Sequence, residues 1–202
     1  MNQDYLLSKL HENVIPTRVL LARARLTKTS DWETPIMNDP KYIPFYYHLG
    51  GQVNAKCVFE LGFDLGLTAS AFVQGCSTIE EYYGFQFTND DFYYSPRLGV
   101  ATLKEYYSGS INIHAGNYSE YEKFVSTKNW DLVLYTQKTD PKFLKRNLDK
   151  SWEQLKVDGY LIVDHLFEKD HMEHFEQWCI GKNLNPIIYS TRNILGIVKK
   201  KV

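Results

Sequence analysis

The segment "FELGFDLGLTAS", residues 59–70, places an acidic side chain, two glycines and a helix start close together. Glu60 closes an apolar run. Gly62 permits a sharp turn, and Gly66 permits close approach of backbone to a ligand. Thr68 begins a helix whose free N–H groups are able to receive a carboxylate. The spacing is Gly-x-x-x-Gly rather than the Gly-x-Gly-x-x-Gly of a pyrophosphate cradle, and an acidic strand end suits a cationic ligand. A second concentration of reactive side chains is "DHLFEKDHMEH", with Asp164, His165, His171 and His174. Histidine suits general-base work near neutral pH. His171 and His174 are helical neighbours, a spacing open to a transition metal, but a solvated first helical turn accounts for them more simply. No metal site is expected.

Alternating elements must position these residues. "CVFEL", "EEYYGFQF", "INIHA", "WDLVLYT" and "YLIVDHL" read as five strands, separated by segments of helical character. Ser95-Pro96 and Asp140-Pro141 have the form of an N-cap followed by proline at the first helical position. The spacing predicts a helix from Asp140 to about Asp158-Gly159, closed by a left-handed glycine. Asp170 and Glu173 have capping-box spacing at the start of the next helix. "PIIYS" and "ILGIVKK" close the chain as a hairpin, so one strand runs antiparallel. Residues 1–50 differ: two helical stretches, a proline-broken loop, and a short aromatic helix in "YIPFYYHLGG" stopped by Gly50 and Gly51. The expected division is a helical N-terminal extension or substrate cap over 1–50 and a Rossmann-like domain over 51–202. The aromatics of "FYYHLGG" and "DDFYYSPR" are read mainly as packing residues.

Composition narrows the function classes. The chain has 202 residues, 44% hydrophobic and 23% charged, which suits one well-packed domain. A formal charge of −1 supplies no general field toward nucleic acid or anionic lipid. Arg18, Arg23, Arg25 and Lys28 read as a solvated helix face. No stretch approaches the ~18 apolar residues needed to cross a bilayer. Three scattered cysteines give neither a disulfide framework nor a zinc pattern, so a reducing, cytoplasmic setting is expected.

With these motifs in order, the chain resembles the class I S-adenosylmethionine-dependent methyltransferases, and among them small bacterial and phage O-methyltransferase-like members. "VFELGFDLGLTAS", the run "NWDLVLYTQKTDPKFLKRNLDKSWEQLKVDGYLIVDHL" and the closing "TRNILGIVKK" carry the likeness, over roughly residues 42–200. It implies an α/β sandwich with a mostly parallel seven-stranded sheet and an antiparallel closing strand. It also implies S-adenosyl-L-methionine as cofactor. Glu60, Gly62, Phe63 and Gly66 would surround the methionine part, and Thr68 would face its carboxylate. Gln86 stands where relatives offer the ribose an acid. Asn117 stands where an aspartate reads the adenine amino group, with Tyr118 along the purine. Thr136 opens "TQKT", where relatives commonly read Asp-Gly-Asp-His and hold metal or a base.

The resemblance places His165 and Asp164 where an acceptor loses its proton. It implies methyl transfer to a hydroxyl or amine of a small molecule or glycan, without membrane or nucleic-acid partners and with room for an oligomer. A non-catalytic interaction protein and an enzyme of different chemistry on an adenosyl ligand remain as alternatives.

Overall fold

The computed structural model describes residues 42–63, 66–88, 96–136, 140–189 and 194–201. The basic N-terminal stretch, Ser95 and residues 137–139 lie outside the described residues. In chain order the elements are α1 (Tyr42–Gly50), β1 (Cys57–Leu61), α2 (Leu67–Gly75), β2 (Glu81–Phe87), α3 (Pro96–Lys104), β3 (Ser110–Gly116) and α4 (Tyr118–Val125). They continue with β4 (Trp130–Tyr135), α5 (Pro141–Gln154), β5 (Leu155–Val163), α6 (Lys169–Gly181), β6 (Ile187–Tyr189) and β7 (Leu195–Lys199). The strands form one seven-stranded sheet in the order β3-β2-β1-β4-β5-β7-β6. Every neighbouring pair is parallel except those of β7, which runs antiparallel to both β5 and β6. The expected α/β sandwich with an antiparallel closing strand is therefore present.

Period-two alternation divides the core between the two faces of the sheet. Val58, Tyr82, Leu132, Leu134 and Ile162 pack with α1 and α2 on one face. Phe59, Leu61, Phe85, Val133 and Val163 pack with α4, α5 and α6 on the other. Phe45, Tyr46 and Leu49 of α1 are completely buried in the first cluster. These residues belong to the segment 1–50 expected as an extension or substrate cap, and α1 packs into the core cluster. Backbone approaches backbone where α1 meets α2. A β-carbon at Gly50 would lie 2.6 Å from the Phe72 carbonyl oxygen, and one at Gly75 would overlap that of Tyr47.

Two expected helix ends differ. Helix α5 stops at Gln154, short of Gly159. Leu155 is buried and pairs with Trp130, which draws the chain into β5 early. The Lys200 ammonium then donates to the carbonyls of Trp152 (2.6 Å) and Leu155 (2.7 Å). A lysine from the end of the chain thus occupies carbonyls at the helix terminus that a glycine cap would otherwise serve. The left-handed residue is Asp158 (φ 67°) rather than Gly159, as aspartate tolerates that region better than most residues. Helix α6 begins after Glu168, which makes no side-chain cap bond, and Asp170 sits inside the first turn. Among the described residues no helix is long and apolar enough to cross a membrane.

The α1–α2 contact predicts unequal costs for two glycine substitutions. Gly75→Ala must push the helices apart and should lower stability by about 1–3 kcal/mol in urea denaturation. Gly181→Ala, with nothing within 4 Å of the added carbon, should be neutral or slightly stabilising.

Candidate active site

The carboxyl ends of β1, β2, β4 and β5 converge at the middle of the sheet, where ligands lie in open parallel sheets. Alternation places Glu60, Gln86, Thr136 and Asp164 on the α1–α2 face, two residues beyond Val58, Gly84, Leu134 and Ile162 respectively. Glu60, Gln86 and Asp164 are buried. Polar residues therefore replace apolar ones at the end of each of these strands.

A chain of hydrogen bonds ties three of them together. Glu60 accepts from the Tyr82 hydroxyl at Oε2 (2.9 Å), and its Oε1 lies 2.9 Å from Thr136 Oγ1, whose single proton is shared with the Gly62 (2.9 Å) and Leu61 (3.2 Å) carbonyls. Burial, and then the charge of Glu60 beside it, push the Tyr82 phenol well above its usual range, so it remains a donor. The Thr136 carbonyl lies 3.0 Å from His165 Nε2. A carbonyl only accepts, so Nε2 carries the proton and Nδ1 keeps its lone pair. Asp164 Oδ1 accepts the His165 backbone N–H (2.7 Å), and Oδ2 accepts the Tyr46 hydroxyl of α1 (2.8 Å). His165 has φ 61°, a left-handed conformation that costs a non-glycine residue about 1–2 kcal/mol. Bonds from the ring and the backbone hold it there.

The glycine turn has the local geometry the sequence demands. Gly62 (φ 100°) donates to the Phe85 carbonyl (2.8 Å) while the chain leaves the strand. Gly66 (φ 67°) donates to the Phe63 carbonyl (2.8 Å) and precedes α2 without a side-chain cap. Thr68, buried, lies in the first turn of α2.

Four expected site residues also make contacts within the fold. The Phe63 ring is buried in the core, packed over Gly84, where a β-carbon would come within 2.9 Å of it. At Gly66 the close neighbour is the Gly99 carbonyl of α3, 2.7 Å from where a β-carbon would stand, so this glycine serves helix packing. Asn117 is the N-cap of α4. Its carbonyl accepts from Ser119 N–H (2.9 Å) and Glu120 N–H (3.2 Å), while Glu120 returns a bond to the Asn117 N–H (2.7 Å). Both lone pairs expected to read an adenine amine are thus engaged by the helix. The Tyr118 ring lies parallel to Phe87, with the Arg146 guanidinium 4.3 Å over it. That ring packs with the opposite-face core, which accounts for its position without a purine.

Tyr46 and Tyr82 are site residues that sequence reasoning missed. Tyr82 shares the face of Gly84 and Gln86 by alternation, a weak signal. Nothing in "PFYYHL" separates Tyr46 from Tyr47. Among the described residues no group of three or more His, Cys, Asp or Glu is placed to hold a metal ion.

Two substitutions should separate site chemistry from scaffold. Tyr82→Phe leaves a buried carboxylate one donor short and should cost about 1–3 kcal/mol in urea denaturation. Asn117→Ala removes the α4 cap and should cost about 1 kcal/mol.

Neither a family model nor a curated protein sequence matches the chain. Solved structures do. A candidate caffeoyl-CoA O-methyltransferase of Staphylococcus aureus matches with a TM-score of 0.70 at 17% identity, over 98% of each chain. The methyltransferase PaMTH1 of Podospora anserina, bound to SAH, matches with 0.69 at 11% identity, over 98% of this chain and 93% of that one. The O-methyltransferase TomG of Streptomyces achromogenes, in complex with SAM, matches with 0.68 at 10% identity, over 98% and 95%. Strand order, the single antiparallel strand and these neighbours together establish that the chain has the Rossmann-like fold of the methyltransferases.

Proposed function

We propose that the chain transfers a methyl group from S-adenosylmethionine to a hydroxyl or amine of a small molecule or glycan. The observation that carries this reading is the buried Glu60 carboxylate at the end of the central strand, facing a glycine turn and a helix start without a side-chain cap. An anionic strand end beside free helix N–H groups fits the zwitterionic methionine part of the cofactor, ammonium to Glu60 and carboxylate to α2. Solved neighbours of this fold hold SAM or SAH, in support of the same ligand here. Gln86, at the end of β2, would serve the ribose hydroxyls with a neutral side chain. The bound cofactor supplies an electrophilic methyl on a sulfonium.

The chain's own work is placement and one proton. The acceptor oxygen or nitrogen must lie in line with the methyl carbon at near contact. His165 Nδ1 would take the proton that the acceptor gives up on methylation. Thr136 holds the imidazole by its Nε2–H, and Asp164 holds the backbone that carries it.

A second reading, a scaffold without catalysis, is favoured by Asn117 and Tyr118, whose polar and aromatic groups serve the fold rather than a nucleoside.

Calorimetric titration with S-adenosylmethionine and its demethylated product distinguishes the two readings. Binding of both is expected. Glu60→Gln should weaken each by about tenfold or more, through loss of a charge-assisted hydrogen bond. Gln86→Glu should tighten S-adenosylmethionine by roughly fivefold, by offering the ribose a charged acceptor. No binding to the folded wild-type protein would favour the non-catalytic scaffold.

A further inference from the structure

The hydrogen bond from Tyr46 to Asp164 joins residues far apart in sequence, one on α1 before the first strand and one at the end of β5. We infer that Tyr46 is a positioning residue for His165, so that helix α1 supports the catalytic apparatus from within the core. This inference rests on the methyl-transfer reading only for the use to which His165 is put. The geometry stands independently of it.

Asp164 is buried, and its two oxygens have different duties. Oδ1 holds the His165 backbone N–H at 2.7 Å, in a left-handed conformation unfavourable for histidine. Oδ2 accepts from Tyr46 at 2.8 Å. A carboxylate held at one oxygen only can rotate about its bond to the β-carbon. The second donor fixes that rotation and thereby the direction in which Oδ1 faces the histidine backbone. Freed of it, the His165 backbone has less to hold it at φ 61°, and the ring would lose its alignment with the Thr136 carbonyl.

The position of Tyr46 is itself set by backbone contact. The helix carrying it touches α2 through Gly50 and Gly75, which admit no side chain between the helices. Phe45, next to Tyr46, meets Tyr189 of β6 edge to face, with ring centroids 5.3 Å apart. The phenol of Tyr46 is therefore presented to Asp164 by a packed helix. Tyr189 makes a natural control: its hydroxyl is equally buried in the α1 cluster and has no hydrogen-bond partner among the described residues.

The test measures exchange of the His165 Nε2–H proton with water in histidine-labelled protein by NMR, with the signal assigned by its loss in His165→Gln. Tyr46→Phe should speed this exchange by about tenfold or more, the effect of one lost hydrogen bond to a charged group. Tyr189→Phe should leave it unchanged. Unchanged exchange in Tyr46→Phe, or an equal rise in both variants, overturns the proposal. If Tyr46→Phe folds poorly, Asp164→Ala removes both carboxylate contacts and must loosen His165 likewise; slow exchange there also overturns it. SAH titrated into the same samples keeps the two ideas apart. Failure of wild-type protein to bind SAH counts against methyl transfer while the exchange result still decides the role of Tyr46. Affinity for SAH within twofold of wild type in Tyr46→Phe would place the effect at His165 and not at the cofactor.

Discussion

The carboxylate of Glu60, buried at the end of the central strand, imposes conditions on the elements around it. A charged group removed from water is tolerated only when its oxygens are satisfied. Here one oxygen takes a hydroxyl from β2 and the other shares, with the Gly62 and Leu61 carbonyls, a hydroxyl from the end of β4. Both donors depend on strand register: Val58 pairs with Tyr82 in one direction, and Leu61 with Tyr135 in the other. A slip of one residue would turn Tyr82 to the opposite face and leave the carboxylate without that partner. The polar site and the sheet register therefore support each other.

From Glu60 the same network extends toward the reactive side of the site. The Thr136 hydroxyl lies within hydrogen-bond reach of Glu60 and its carbonyl meets the His165 ring, so one residue at the end of β4 links the buried carboxylate to the candidate base. Asp164 continues the chain to α1 through Tyr46. Buried polar networks are stabilising when every member is satisfied and costly otherwise. In this one, the conformation of His165 is held from two directions. The glycine contact between α1 and α2 matters for the same reason, since it determines how close Tyr46 comes to the strand ends.

The opposite face of the sheet is occupied with structure. Tyr121, Tyr135 and Ser151 share hydroxyl hydrogen bonds within the core beneath α4 and α5. Asn117 and Glu120 satisfy the first turn of α4, and Arg146 lies over Tyr118. Lys200 completes the end of α5 from the last strand. These residue types also occur in binding sites, and here each meets a need of the fold itself.

Element type, order and the location of the glycine turn were legible in the sequence, because hydrophobic period, proline and glycine act over a few residues. Strands β1 to β4 and the antiparallel close followed from that local pattern, as did the clustering of polar residues at Glu60, Gln86, Thr136 and Asp164 once a parallel sheet was assumed. What a side chain does there was not legible. That Asn117 caps α4, with Glu120 returning a bond to its N–H, is seen only in the folded chain. That the Gly99 carbonyl lies against Gly66 is likewise seen only in the folded chain. Lys200 could displace a glycine as the end of α5 only because β7 returns beside that helix. Tyr46 looks like Tyr47 until packing buries one beside Asp164 and leaves the other partly exposed. Hydrogen bonds and close contacts between residues distant in the chain depend on register and helix placement, and these are settled only when the whole core packs at once.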